Sequence, residues 1–257
     1  MAELGGRSDM RGAKTQRTEC VESRRHGRRA SPLLLRLALL TLLLAMWLAA
    51  PTPVPAGERV QFTATDGVQL IGHLEGTGGP GIAFGHMYPA DQRSWRAFAD
   101  EMAAAGFRTL TFDFRGYGES EGEKDIAKID RDMEGAYRAL VGRKISPIFL
   151  VGASMGGTAA LVVAARVPVA GVATLSAPVF FRGLDAAPVL AAVSTPKLLI
   201  AARDDASAAA ALQRFLDKMP EPKRALVVDG GAHGTDLFAA PEAAVVKSAL
   251  RAFLAGS

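Results

Sequence analysis

Length, composition and charge limit what this sequence can encode. Its 257 residues, of which 49% are hydrophobic, are enough for one domain with a large core and a leader segment. The formal net charge of +4 comes from residues 1–56, which carry nine Lys/Arg against four Asp/Glu, whereas residues 57–257 carry 21 against 22. This balance excludes, for the part that is expected to fold, the basic surface typical of nucleic-acid binding.

The first 56 residues have the pattern of a leader. A polar stretch rich in arginine precedes fourteen uncharged residues, 37–50, and the small residues Val54 and Ala56 follow in "PTPVPAG". A signal-peptide core needs about 7–15 apolar residues and a membrane-spanning helix about 20. We therefore predict a signal peptide within 1–56 that exports the protein to the periplasm or the medium. A membrane anchor that contacts the bilayer through residues 33–50 is the alternative, and a soluble tail is a third.

Cysteines and metal-ligand clusters are missing from the sequence after the leader. The single cysteine, Cys20, lies within the leader, so residues 57–257 contain neither a disulfide nor a thiolate nucleophile. Groups of His, Cys and Asp with the spacing of metal ligands are also absent from this sequence. We therefore expect no metal ion and no organic cofactor, and the lack of thiols is compatible with export.

From Glu58 onward, strand-like and helix-like patterns alternate. The stretch "RVQFTATDGVQLIGHLEG" predicts a hairpin that turns at Asp66-Gly67. Six further apolar runs predict strands: "GIAFGH", "FRTLTFDF", "PIFLVGAS", "VAGVATLSAP", "PKLLIAA" and "RALVVDGG". Helical patterns such as "DIAKIDRDMEGAYRALVGRK" separate most of them. The pattern predicts one α/β domain over 57–257, with an eight-stranded, mostly parallel sheet and helices on both faces.

The fifth predicted strand runs into the motif Gly-x-Ser-x-Gly, formed by Gly152, Ser154 and Gly156. A strand, this motif and then a helix are the context of a nucleophile elbow, a strained turn that presents the serine above the sheet. Larger side chains two positions before or after the serine would collide with the neighbouring strand and helix. The free N–H groups and the positive dipole end of the helix would face an oxyanion formed at Ser154. We predict that Ser154 is a nucleophile rather than part of a plain glycine-rich turn.

A serine nucleophile needs a base, and an acid that orients the base. His233 follows the last strand in the loop "DGGAHGTDLF", at the carboxyl edge where parallel sheets place their sites. Asp204 and Asp205 follow the seventh strand at the same edge. Adjacent extended residues point in opposite directions, so only one aspartate can face His233, and the other would cap the next helix. The residues alone leave that choice open.

From about residue 60 to the C-terminus, these motifs resemble the α/β-hydrolase fold family. "FGHMYPADQRSW" resembles the oxyanion segment after strand three of that family, and "FDFRGYGES" resembles the loop after strand four. The resemblance implies that the acid is Asp205, nine residues after the proline that opens strand seven. It also implies an oxyanion hole made by the backbone N–H groups of Met155 and Tyr88. This chain has His86-Met87 where the family often has His-Gly, so the Met87 N–H is an alternate donor, and His86 is expected to be structural.

The stretch between strands six and seven is too short for a separate cap domain. About seventeen residues lie between Pro178 and Pro196, enough for one helix. Phe180 and Phe181 either line an acyl pocket or belong to the core. The sequence therefore predicts a serine esterase that cleaves a small-molecule acyl ester through an acyl-enzyme intermediate, with its oligomeric state left open. A peptidase or thioesterase of the same mechanism and a non-catalytic binding protein on this fold are the alternatives.

Overall fold

The computed structural model describes residues 57–256. The predicted leader, including the apolar segment 33–50, lies outside the described residues. Among the residues that the structure describes, helices long and apolar enough to cross a membrane are absent.

The structure confirms the predicted alternation of strands and helices. The main sheet contains β1 Glu58–Thr63, β2 Gln69–Glu75, β3 Gly81–Gly85, β4 Arg108–Phe112, β5 Ile148–Ala153, β6 Gly171–Leu175, β9 Lys197–Ala202 and β10 Lys223–Val228. The helices are α1 Arg96–Ala104, α2 Ile129–Gly142, α3 Met155–Ala164, α4 Ala206–Lys218 and α5 Ala243–Ala255. Short 3-10 helices span Gln92–Trp95, Ile126–Lys128, Ala187–Ala192 and Gly234–Phe238.

The sheet is eight-stranded and mostly parallel, as the apolar runs predict. Its strand order is β1-β2-β4-β3-β5-β6-β9-β10. Only the β1–β2 and β2–β4 pairs are antiparallel within it. All residues of β3, β5, β6 and β9 are buried, which explains why their sequences are predominantly apolar. The carboxyl ends of β5, β9 and β10 consequently meet at one edge.

Helices cover both faces of this sheet. Side chains of α2, α3 and α4 pack into one apolar cluster, and side chains of α1 and α5 pack into a second. The two clusters contain different strand residues, because successive side chains of a strand point to opposite faces. The α/β-hydrolase fold predicted from the motifs is thereby confirmed.

The connection between β6 and β9 is built as a small ribbon instead of a helix. Strands β7 Phe180–Phe181 and β8 Leu184–Asp185 pair antiparallel outside the main sheet, and the 3-10 helix over Ala187–Ala192 follows. Arg182 and Gly183 form the two-residue turn between the strands, with φ angles of 47° and 91°. Positive φ at both central residues is the signature of the tight turn that suits a twisted hairpin. We refer to residues 180–185 as the β7–β8 hairpin.

Candidate active site

Ser154 occupies a one-residue turn between β5 and α3. Its backbone has φ 49° and ψ −121°, a positive-φ conformation that is costly for any residue except glycine. A Cβ atom at Gly152 would overlap the carbonyl oxygen of Gly156, and a Cβ at Gly156 would overlap the carbonyl oxygen of Gly85. The two glycines are therefore required for the close approach of strand, turn and helix. This is the geometry expected of a nucleophile elbow.

The structure brings Ser154, His233 and Asp205 together in one hydrogen-bonded series. His233 Nε2 lies 2.8 Å from Ser154 Oγ, and His233 Nδ1 lies 2.6 Å from Asp205 Oδ2. The three residues follow β5, β10 and β9, whose carboxyl ends share one edge of the sheet. Ser154 and the carboxylate are nearly buried, whereas 39% of the His233 side chain is exposed. A substrate can therefore approach the serine from the histidine side.

The two adjacent aspartates have clearly different surroundings. Asp205 Oδ1 accepts a hydrogen bond of 3.2 Å from the Ala208 backbone N–H, which caps the start of α4, while its Oδ2 faces His233. The side chain of Asp204 is exposed and makes no hydrogen bond within 57–256. As expected, one aspartate, Asp205, faces the histidine, but the expectation that the other would cap the helix is wrong. One carboxylate does both, because its two oxygens point to different donors.

The segment predicted to carry an oxyanion donor lies against the first turn of α3. A Cβ at Gly156 would lie 2.7 Å from the carbonyl oxygen of His86, so the His86–Tyr88 segment and the elbow are in direct contact. Met155 is the first residue of α3, and its N–H has no acceptor within the helix. The backbone N–H groups of Met87 and Tyr88 are likewise free of hydrogen bonds to residues 57–256. All three N–H groups that the sequence singled out are therefore without a hydrogen-bond acceptor among residues 57–256.

His86 is a structural residue in this arrangement. It is fully buried, and its Nε2 accepts a hydrogen bond of 3.1 Å from the Phe114 N–H. The proton is therefore on Nδ1, which donates to the Met87 carbonyl oxygen at 3.0 Å. Burial lowers the pKa of His86, so the ring stays neutral. The histidine ties the predicted oxyanion segment to the loop after β4.

The loop after β4 is anchored by a buried arginine. Arg115 donates through Nη2 to Asp132 at 2.6 Å and to Asp66 at 2.8 Å, while its side chain is only 5% exposed. Its hydrogen bond to Asp66 lowers the pKa of that carboxyl to about 2. These contacts join the β1–β2 turn, the loop and α2. The ring of Tyr117, in the same loop, packs against His86 with centroids 4.9 Å apart. Arg115 therefore stabilises the scaffold that carries this loop.

Sequence reasoning missed the role of the β7–β8 hairpin beside this site. The guanidinium carbon of Arg182 lies 4.3 Å from the centroid of the Tyr88 ring. Phe181 packs against Tyr88 with centroids 6.0 Å apart, and Phe180 is 59% exposed. Phe180 is therefore outside the core, and Phe181 belongs to the wall beside the oxyanion segment. The only local signal is the Arg-Gly pair between two short apolar runs.

Comparison with protein families links the central part of the chain to known hydrolases. Residues 92–195 match the family described as serine aminopeptidase, S33. This range contains the elbow and ends before Asp205 and His233. An uncharacterized protein of Mycobacterium tuberculosis is 28% identical over 232 residues, which cover 80% of this chain and 82% of that protein. An epoxide hydrolase of Caballeronia sordidicola is 33% identical over 110 residues, which cover 41% of this chain and 32% of the enzyme.

Solved structures share the fold over most of the chain. An esterase of Pyrococcus furiosus superposes with a TM-score of 0.69 and 21% identity, covering 77% of this chain and 90% of the esterase. A dienelactone hydrolase of Anabaena variabilis superposes with a TM-score of 0.66 and 24% identity, covering 77% and 96%. At 21% and 24% identity, these superpositions show a shared fold.

Proposed function

We propose that this chain, which has the α/β-hydrolase fold and matches a serine hydrolase family over residues 92–195, is a serine esterase acting on small carboxylic esters. The observation that carries the proposal is the hydrogen-bonded series from Asp205 through His233 to Ser154, with distances of 2.6 and 2.8 Å. A strained serine at a helix N-terminus has little structural reason to exist, since glycine would relieve the strain. A role as the nucleophile in ester cleavage accounts for the strained serine.

In the first half of the proposed reaction, Ser154 Oγ attacks the carbonyl carbon of the ester. His233 Nε2 takes the proton of the hydroxyl group, and the negative carboxylate of Asp205 stabilises the imidazolium through Nδ1. The N–H groups of Met155 and Tyr88, with Met87 as the alternate, donate to the oxyanion of the tetrahedral intermediate. The C–O bond then breaks, His233 gives its proton to the departing alcohol, and the acyl group stays on Ser154.

In the second half, a water molecule replaces the alcohol. His233 Nε2 takes one proton from the water as its oxygen attacks the acyl carbon, and the same N–H groups bind the second oxyanion. The bond to Ser154 Oγ breaks, and His233 returns its proton to the serine. The products are one carboxylic acid and one alcohol, so the sum is the hydrolysis of one ester.

The names of two structural relatives favour esters over other acyl compounds as the substrates of this chain. One of them is named an esterase and another a dienelactone hydrolase, and a lactone is a cyclic ester. The family description, serine aminopeptidase, supports amide cleavage as the second candidate, with an amine as the leaving group in the same mechanism. Comparing p-nitrophenyl butyrate with leucine p-nitroanilide as substrates separates the two activities. Faster hydrolysis of the anilide would overturn the esterase proposal in favour of a peptidase.

A direct test compares the purified protein with variants of its proposed machinery. Ser154→Ala and His233→Ala should each lower kcat/KM for p-nitrophenyl butyrate by about a thousandfold or more, since the groups act as one unit. Ser248→Ala is the matched control, because Ser248 lies exposed on α5. If the wild-type protein is no more active than Ser154→Ala on esters of several chain lengths, the site is not catalytic and a binding protein on this fold is the better account.

We further propose that the leader exports this hydrolase, with anchoring through residues 33–50 as the alternative. N-terminal sequencing of the protein from fractionated cells that express the full chain distinguishes the two. A mature N-terminus near Gly57 in the soluble fraction supports a cleaved signal. An intact chain in the membrane fraction supports the anchor and contradicts cleavage.

A further inference from the structure

The β7–β8 hairpin holds a cation beside the proposed oxyanion segment. The Arg182 guanidinium carbon lies 4.3 Å from the Tyr88 ring centroid and 5.4 Å from that of Phe181. The tip of the hairpin packs closely against Ala127, because a Cβ at Gly183 would lie 2.8 Å from the Ala127 Cβ. Arg182 is thus presented by a packed hairpin over an aromatic platform, in an arrangement known for guanidinium groups.

This hairpin and the oxyanion segment flank the nucleophile from two sides. Thr158, in the first turns of α3, donates through its N–H to the Ser154 carbonyl oxygen and through Oγ1 to the Pro178 carbonyl oxygen at 2.6 Å. The start of the hairpin therefore rests on the helix that begins at the nucleophile. Across α3, Gly156 packs against the carbonyl oxygen of His86. The contact between Arg182 and Tyr88 joins the hairpin to the oxyanion segment.

The positive charges at this place lack carboxylate partners. Arg182 has none within ion-pair distance among residues 57–256, and the same is true of Lys124, whose Nζ lies 4.4 Å from the Tyr117 ring centroid. Aromatic faces stabilise a cation less than a carboxylate does when both are partly exposed. Two unpaired cations near the mouth of a site favour ligands with negative charge.

A buried hydroxyl group without a partner belongs to Tyr117, whose ring packs against His86 of the oxyanion segment with centroids 4.9 Å apart. Tyr117 is only 4% exposed, and its hydroxyl oxygen has no hydrogen-bond partner in the part of the chain that the structure describes. Burial raises the pKa of Tyr117, Tyr88 raises it further and Arg182 lowers it, so the phenol stays neutral. Buried polar groups without partners are rare in native proteins and indicate that something else completes the site.

The backbone conformation of Arg182 suits the hairpin turn but is unfavourable for an arginine. Its φ of 47° is a conformation for which asparagine, aspartate or glycine is preferred, and the next residue, Gly183, already meets that preference. An arginine there is held at a cost of about 1 kcal/mol. Strained residues of this kind are concentrated at ligand-binding and catalytic sites.

We propose that Arg182 and Lys124, with the Tyr117 hydroxyl beneath them, form an anion subsite next to Ser154, so that the enzyme prefers esters that carry a carboxylate. The inference rests on the proposed ester hydrolysis and adds the substrate class. The carboxylate belongs either to the acyl chain or to the leaving group, because the subsite recognises the charge in both cases. A substrate with a free ammonium group is disfavoured by the same charges.

The test measures kcat/KM for matched pairs of esters with the full-length protein. In the acyl arm, the p-nitrophenyl monoester of adipic acid is compared with its methyl-capped diester. In the leaving-group arm, 3-carboxy-4-nitrophenyl acetate is compared with 4-nitrophenyl acetate. We expect the charged member to be preferred by about fivefold in one arm at low salt, as for a single partly exposed ion pair. Added salt should reduce this preference.

Two substitutions at Arg182 separate charge from structure. Arg182→Asn keeps a residue suited to the turn and removes the charge, so we expect an unchanged or higher Tm and the loss of most of the preference. Arg182→Lys should keep part of the preference. Arg138→Gln is the control, because Arg138 pairs with Glu134 on the exposed face of α2, and it should leave the preference unchanged.

Each outcome decides the inference. Preference for the anion in wild type, lost in Arg182→Asn and retained in Arg138→Gln, supports it. Hydrolysis without preference, or a preference that Arg182→Asn leaves intact, overturns it while the esterase proposal stands. If wild type hydrolyses no ester faster than Ser154→Ala does, the esterase proposal fails. Calorimetric binding of the charged and capped adipates to Ser154→Ala then tests the subsite by itself, and equal affinity would overturn it.

Discussion

Replacing Asp205 should separate its two contacts, because each of its oxygens faces a different donor. Oδ2 lies 2.6 Å from His233 Nδ1, and Oδ1 accepts from the Ala208 N–H at 3.2 Å. Asparagine has one acceptor oxygen where aspartate has two, so Asp205→Asn cannot serve both donors. Asparagine is as good a helix cap as aspartate, and the cap contact is the one that it can keep. We therefore expect Asp205→Asn to fold normally and to lose the orientation of His233.

The expected magnitudes differ between activity and stability. Loss of the orienting carboxylate should lower kcat/KM by about 10³–10⁴, the scale known for serine hydrolases with this arrangement. Asp205→Ala should lose a similar amount of activity and also the cap, which contributes about 1 kcal/mol to the free energy of unfolding. For a domain of about 200 residues, that corresponds to about 2–4 °C in Tm. Asp205→Asn should stay within about 1 °C of wild type.

The assay pairs p-nitrophenyl butyrate hydrolysis with thermal unfolding of each variant. Asp204→Asn is the matched control, since Asp204 is exposed and makes no contact with His233 among the described residues. It should keep activity within about twofold of wild type. The reasoning is refuted if Asp204→Asn loses as much activity as Asp205→Asn, or if Asp205→Asn keeps more than about a tenth of the wild-type activity.

Three further predictions concern the elbow and one partly buried carboxyl group. Gly152→Ala should unfold or misfold the protein because its Cβ would overlap the Gly156 carbonyl oxygen. Gly142→Ala, which has open space around the new Cβ, should instead raise the free energy of unfolding by up to about 1 kcal/mol. Denaturant titration of both variants compares the two effects. Ser154→Gly should abolish activity yet be more stable than Ser154→Ala, because only glycine relieves the positive φ; equal stabilities would show that the turn is unstrained. Burial and neighbouring Asp100 raise the pKa of Glu75 from 4.5 to about 7, so the folded state holds this proton more tightly than the unfolded state does, and stability should fall as pH rises from about 4.5 to about 7. Glu75→Gln should flatten that dependence in denaturant titrations at pH 5 and pH 8, and an unchanged slope would exclude Glu75 as its source.

The fold was predictable because its determinants are local. Four strands are buried throughout and almost entirely apolar, so a parallel sheet covered on both faces followed from their composition. The motif around Ser154 was readable for a similar reason, since glycine two positions away on each side is a steric demand of one turn. The placement of Ser154, Asp205 and His233 at one sheet edge follows from strand order.

The parts that the sequence did not predict depend on contacts between distant segments. Choosing between Asp204 and Asp205 from the residues required side-chain directions at the start of α4, and local reasoning assumed that one carboxylate could not both orient a histidine and cap a helix. The β7–β8 hairpin has strands of two residues each, which are too short to show periodicity. Its contact with Tyr88 arises only when α3 brings both segments together.

The most direct test of the central proposal is covalent labelling of the purified protein with a fluorophosphonate, followed by mass spectrometry of its peptides. The account predicts one adduct, on the peptide that contains Ser154, and a labelling rate that falls by at least about a hundredfold in His233→Ala because the hydroxyl group then lacks its base. An unlabelled Ser154, or labelling at the same rate without His233, would contradict it.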